Sequence, residues 1–177
     1  MGKGTVVRAL LAARPDLVFS VSGTTRSPRP GEVDGVHYRF VSDAEFDRVI
    51  EDDGFLEWAE IFGHRSGTPA APVEEARSAG RDVLLEVDVQ GARSIRRRVP
   101  EAVLVFLQPP SEEELARRLR ARGTEAGSAL DRRLAAARRE MEEAEAFDHV
   151  VVNDTVEGAV REVLAIMELT DKRESAE

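Results

Sequence analysis

Apolar residues follow two rhythms along the 177 residues of the chain. In one they recur every three or four positions, the spacing of a helix face. Val6, Val7, Leu10 and Leu11 give such a face over 5–13, which stops before Pro15. Ser42 with Glu45 three residues on is a capping-box signature, predicting a helix to about Asp52 that ends at Gly54. A short helix over 73–79 meets Gly80 as its stop, and Ser111 with Glu114 caps a helix over 115–122. A Gly-containing break at 123–127 leads into a long helix over 130–146, and a last helix covers 156–169. In the other rhythm the apolar residues form short runs: 17–21, 55–62, 83–88 ending in acid, 103–107 closed by Pro109 and Pro110, and 150–152. Short apolar strands alternating with helices predict an α/β fold, a parallel sheet covered by helices on both faces. The stretch 23–67 differs in texture, mixing aromatics, turns and charges, and reads as a small lobe on the carboxyl edge of the sheet, where ligands bind in such folds. The polar tail from Asp171 is expected to fray.

Length changes this picture little: 177 residues suit a single domain over 1–177. The chain has no cysteine, which excludes a disulfide framework and a thiolate metal site and fits a reducing, cytoplasmic setting. No run approaches the roughly 20 apolar residues of a membrane helix. A net charge of −9 argues against a nucleic-acid polymer as partner. Yet arginines gather at Arg26/Arg29 and again from Arg117 to Arg139, which suits small anions held at defined points. His37, His64 and His149 are scattered, and none is assigned to a metal.

Several clusters carry chemistry. Gly2-Lys3-Gly4-Thr5 opens a helix and matches the end of the phosphate loop G-x-x-x-x-G-K-[ST], with Gly4 where Ser or Thr is usual. In that loop, backbone N–H groups cradle phosphates and the lysine reaches the β/γ oxygens. Thr5 can then supply a hydroxyl near magnesium. Arg26 and Arg29, held by turn residues, can fork onto the oxygens of one phosphate, and Tyr38 adds a donor without charge. Glu86 and Asp88 lie two apart at a strand's end, and so are expected on one face.

Ser20–Phe40, with T-T-R-x-P-R-x-G-E-x-[DN]-G-x-x-Y, resembles the GMP-phosphate segment of guanylate kinases. Phe55-Leu56-Glu57, the acid-ended VLLEVDVQG of 83–91, and LARRLRARGTE of 115–125 followed by Arg132-Arg133-Leu134 match that family in order and spacing over roughly 2–169. The resemblance implies a P-loop nucleoside monophosphate kinase with a GMP-binding lobe at about 23–67 and a helical lid at about 118–138. It implies ATP-dependent phosphorylation of GMP, with dGMP alongside it, and Mg2+ arriving with ATP. Glu57 would read the guanine edge, since a carboxylate accepts from N1–H and N2–H2 together. Ser22, Thr68 and Asp88 match guanine- or sugar-side positions. Glu86 would orient a magnesium water or help hold GMP. Arg118 and Arg133 would close on the transferred phosphate with Lys3, Arg122 would stack on adenine, and Asn153 matches the adenine-side strand end.

Two departures matter. Ser66 stands where the family has a tyrosine bound to the GMP phosphate. And Met1 falls on the valine of the family's loop G-P-S-G-V-G-K-G-T, as a GTG codon read as a start would give; Lys3 and Lys172 are the only lysines among 25 basic residues, which suits a GC-rich genome. The reading frame is therefore expected to extend upstream. The chain from Met1 alone, without the first strand and most of the loop N–H groups, is expected to be unstable and nearly inactive and the extended form to bind MgATP and phosphorylate GMP, which upstream DNA would settle. Guanylate-kinase-like domains also serve as binding modules, and the incomplete loop and Ser66 favour that alternative. Intact Arg26, Arg29, Glu57 and lid arginines oppose it. A kinase for another nucleotide is disfavoured by Glu57.

Overall fold

A computed structural model describes residues 2–121 and 128–174, the latter with side chains from Asp131 to Thr170. Helices and strands alternate in the order α1 (Lys3–Ala13), β1 (Val18–Phe19), β2 (Gly23–Thr24), β3 (Arg39–Phe40), α2 (Asp43–Glu51), β4 (Phe55–Ile61), β5 (His64–Pro69), α3 (Ala70–Ser78), β6 (Val83–Leu84), α4 (Val89–Arg98), β7 (Val105–Gln108), α5 (Glu112–Ala121), α6 (Ser128–Glu142), a 3-10 turn (Ala144–Ala146), β8 (His149–Val152) and α7 (Val156–Glu174). They fall into two compact units, Arg14–Ala102 and Met1–Ala13 with Val103–Glu177.

In the unit Arg14–Ala102, β1 and β6 pair in parallel through Val18↔Val83 and Phe19↔Leu84. The stretch 23–67 builds a second sheet, ordered β3-β2-β5-β4. Its hairpin β4–β5 is antiparallel, with Glu57 opposite Thr68. The reversal falls on Phe62 and Gly63, both at positive φ. Helix α2 carries the expected capping box: Ser42 accepts from the Glu45 N–H, while the Glu45 carboxylate accepts from the Ser42 N–H. Its Phe46 is fully buried against Phe55, with ring centroids 4.4 Å apart. Burying such a side chain contributes roughly 1.5–3 kcal/mol. Helix α3 ends as expected, with Gly80 at φ 68.

Two expectations for this unit need correction. The run 83–88 is not one strand: the ladder ends at Leu84, and Asp88 instead caps α4, accepting from the Gly91 N–H at 2.7 Å. Glu86 and Asp88 therefore do not share a strand face. Helix α4 itself is an element the apolar rhythm does not reveal.

In the other unit, β7 and β8 pair in parallel from Val105↔His149 to Gln108↔Val152. Helix α1 packs against α7, and α5 against α6. Leu115 and Leu119 meet Ala137 in the cluster that joins α5 to α6, with Leu134 against it. Strand β8 is not buried on both faces as expected. Val151 is 1% exposed, but Val150 and Val152 are 45% and 40% exposed, an alternation with one covered face. Among the described residues no helix is long and apolar enough to cross a membrane.

Candidate active site

Buried polar side chains mark the site, because a polar group inside a protein is kept only where it is paired or used. In the unit Arg14–Ala102 they are Ser20, Ser22, Thr24, Glu57 and Thr68. The hairpin register sets Thr68 beside Glu57, and the Thr68 hydroxyl donates to Glu57 Oε1 at 2.6 Å. Burial pushes the Glu57 carboxyl above the usual carboxylate range, the Thr68 hydrogen bond opposes this, and the nearby charge of Asp88 adds to it. An acidic group is thus held out of water beside a second acid, an arrangement that favours a ligand bringing hydrogen-bond donors.

A second cluster lies in the same unit. The two terminal guanidinium nitrogens of Arg26, Nη1 and Nη2, donate to Glu32 at 2.6 Å, one per carboxylate oxygen. Glu32 also accepts from the Arg29 N–H at 2.7 Å, so one carboxylate fixes both arginine-bearing positions. The Arg26 guanidinium lies 4.8 Å from the centre of the Tyr38 ring. Burial pushes the Tyr38 hydroxyl up, the charge of Glu86 pushes it further, and Arg26 opposes. Glu86 thus acts on the Arg26–Tyr38 cluster and Asp88 on Glu57, although the two acids are only two residues apart. Ser22 is buried, and its carbonyl accepts from the Arg39 N–H at 2.9 Å, holding it at the entry to β2. Ser66 donates its hydroxyl to Thr24 Oγ1 at 2.9 Å and is thereby tied into the sheet.

Sequence reasoning missed Glu32 as a functional side chain. The signal was the acid right after Gly31 in a turn carrying two arginines.

The other unit holds the remaining candidates. Gly2, at φ 81, precedes α1, and its carbonyl accepts from the N–H of Thr5 and Val6. Lys3, Gly4 and Thr5 form the first turn, at the positive end of the helix dipole. A Cβ on Gly2 would stand 3.0 Å from Asn153 Nδ2, so the head of α1 touches the end of β8. Asn153 is 2% exposed. Arg118 reaches the same strand end: Nη1 donates to the Asn153 carbonyl at 2.9 Å and Nη2 to that of Asp154 at 3.2 Å. Its Nε donates to Glu114 at 2.6 Å, and the hydrogen bonds of Arg117 and Arg118 hold that carboxyl down to about 2. The unit thus brings Gly2, Arg118 and Asn153 together. Arg133 lies on α6, half-buried. Arg122 lies outside the described residues, as do 122–127 of the expected lid.

The alternation of parallel strand pairs with helices, a glycine-led helix head and arginines on separate elements define an α/β fold of the P-loop nucleoside monophosphate kinase class. The pattern of the guanylate kinase family matches residues 1–170. The chain is 57% identical over 175 residues to a guanylate kinase of Nocardia farcinica, covering 98% of this chain and 91% of that one. It is 54% identical over 173 residues to a guanylate kinase of Thermus thermophilus, covering 98% and 78%. The crystal structure of guanylate kinase from Anaplasma phagocytophilum superposes with a TM-score of 0.80 at 35% identity, over 94% of this chain and 80% of that one. The chain belongs to the guanylate kinase family.

Proposed function

We propose that this protein transfers the γ-phosphoryl group of ATP to GMP, giving GDP and ADP, with dGMP as a second acceptor. The observation that carries the reading is the buried Glu57 carboxylate, held by Thr68 on one oxygen. Guanine offers N1–H and N2–H2 side by side, and a carboxylate accepts both. Adenine has no such pair and would strand a buried acid, which is how a polar pocket discriminates strongly. Ser22 and Asp88 would complete the base and sugar contacts. Arg26, Arg29 and Tyr38 would hold the GMP phosphate, with Glu32 keeping the arginine fork oriented until the anion arrives and Glu86 beside them.

On the ATP side, the head of α1 presents the positive end of a helix dipole at Gly2, Lys3, Gly4 and Thr5. Lys3 would reach the β/γ oxygens. Asn153, and Arg122, would border the adenine. The donor set here is one exposed hydroxyl, Thr5, at the head of a helix. Among the described residues no cluster of three metal-binding side chains exists. Such a set fits Mg2+ carried in by the nucleotide phosphates rather than caged by protein. When bound, the ion would neutralise charge on the β- and γ-oxygens. In the transfer, an oxygen of the GMP phosphate bonds to the γ-phosphorus while the bond from γ-phosphorus to the β–γ bridging oxygen breaks, leaving ADP. The protein has little covalent work in such a reaction, so positioned cations carry much of the rate. Arg118 and Arg133 are the cations assigned to it.

Titration calorimetry with GMP and with AMP tests the reading. Heat of binding with GMP and none with AMP at the same concentration supports it; equal binding refutes it. Arg26→Ala should raise the KM for GMP with a smaller change in kcat, because a phosphate clamp acts on bound substrate and transition state alike. The loss is on the order of ten- to a hundredfold, as for a hydrogen bond to a charged group. Steady-state kinetics with varied GMP checks it.

A further inference from the structure

Gly91 lies in the first turn of α4 and is buried. Its φ is not in the left-handed region, where the glycines 2, 31, 35, 63 and 80 lie. Alanine is the better residue inside a helix, so neither backbone geometry nor propensity reserves the position for glycine. Space does. A Cβ on Gly91 would stand 2.6 Å from Glu57 Oε2 and 3.0 Å from Glu57 Cδ, closer than such atoms approach, and 3.1 Å from Val87 Cβ. The Glu57 carboxylate is therefore bounded on two sides. Thr68 holds Oε1 by a 2.6 Å hydrogen bond, and the bare Cα of Gly91 faces Oε2. The same turn is fixed from below, since Asp88 accepts the Gly91 N–H at 2.7 Å.

We propose that Gly91 is a specificity-determining positioning residue: its missing side chain leaves the space in which the Glu57 carboxylate is held square to Thr68 and to the base. The inference rests on Glu57 reading guanine. A methyl group at Gly91 meets one neighbour that moves easily, the tip of a glutamate, and one that need give only by a few tenths of an ångström, Val87. The clash is thus absorbed by the carboxylate turning, which misaims Oε2 or breaks the bond to Thr68. The fold survives the change, and base recognition does not.

The test compares Gly91→Ala with Glu57→Gln in one series, reading melting temperature, kcat and KM with GMP and with AMP. Gly91→Ala should melt no lower than the parent. It should raise the KM for GMP more than it lowers kcat, and reduce the preference for GMP over AMP by roughly ten- to a hundredfold, the loss of a hydrogen bond to a charged group. If Glu57→Gln leaves the base preference intact, the reading of Glu57 fails and this inference falls with it. If Glu57→Gln lowers the preference and Gly91→Ala does not, Gly91 alone is refuted. A Gly91→Ala chain that cannot be recovered folded also overturns the inference, because the movable tip of Glu57 would then not be what yields.

Discussion

Arg118→Ala is expected to lower kcat for GMP phosphorylation by about 10³–10⁵, the range for a cation that meets charge developing in phosphoryl transfer. The KM for GMP should move little, since such a group acts in the transition state rather than on bound substrate. The geometry gives the reason for choosing it over its neighbours. Arg118 is aimed at the end of β8 by the carbonyls of Asn153 and Asp154, and Glu114 holds it from behind. Arg117 donates to the same glutamate and is far more exposed, its side chain 71% accessible against 25% for Arg118. Arg117→Ala should therefore leave kcat near the parent value. Arg118→Lys keeps the charge but loses the planar fork and should recover only part of the rate. The ties to the β8 end also carry stability, so Arg118→Ala should melt somewhat lower, by about 1 kcal/mol for hydrogen bonds of this kind. Single-turnover kinetics separates the two effects. A kcat within a few-fold of the parent would remove Arg118 from the chemistry.

Glu57→Gln should do the reverse, damaging recognition while sparing or improving the fold. The amide turns a donor toward guanine's own donors, and the preference for GMP over AMP should fall by roughly ten- to a hundredfold, in the range for hydrogen bonds to charged groups. Stability goes the other way. Burial raises the folded-state pKa of Glu57 above its unfolded value. The stability tied to its protonated form is fully present below the unfolded pKa and is lost as pH rises through the folded one. Above the ordinary carboxylate range the parent chain therefore bears a burial cost for this acid that the glutamine chain lacks. Melting curves should show the variant gaining on the parent as pH rises from the ordinary carboxylate range through the raised pKa of Glu57. For the parent, GMP affinity should weaken on acidification through the raised pKa, because a protonated carboxyl presents fewer acceptors. An unchanged ratio of GMP to AMP turnover in Glu57→Gln would contradict the assignment.

What could be read from the chain was what local chemistry decides. The capping box of Ser42 and Glu45 is a short-range device, and the helix it starts runs over Asp43–Glu51 as expected. Gly80 closes α3 for an equally local reason. The alternation of apolar runs and helical faces carried the α/β class. What stayed hidden depends on long-range pairing or on weak local signals. Helix α4 offers only Val89, Ala92 and Ile95 as apolar markers and holds a glycine in its first turn, while its cap Asp88 looks like the end of a strand. Strand β5, HRSGTP, has almost no apolar residue and exists because β2 and β4 pair with it on either side. The turn that makes the hairpin uses Phe62 in the left-handed region, a residue no turn rule selects. Glu57 and Thr68 were both picked out, but that they are cross-strand neighbours follows only from the register. The hold of Glu32 on Arg26 and the closeness of Gly91 to Glu57 are likewise products of folding.

The central claim, phosphoryl transfer from ATP to a guanine nucleotide chosen by Glu57, is tested most directly by incubating the protein with γ-labelled ATP, Mg2+ and one acceptor at a time, GMP, AMP, CMP or UMP, and separating the products. Labelled GDP is expected, with GMP preferred over AMP by at least about a hundredfold, as for a polar pocket that strands its own groups on the wrong base. Label spread evenly over the four diphosphates, or none in GDP while GMP binds, would contradict it.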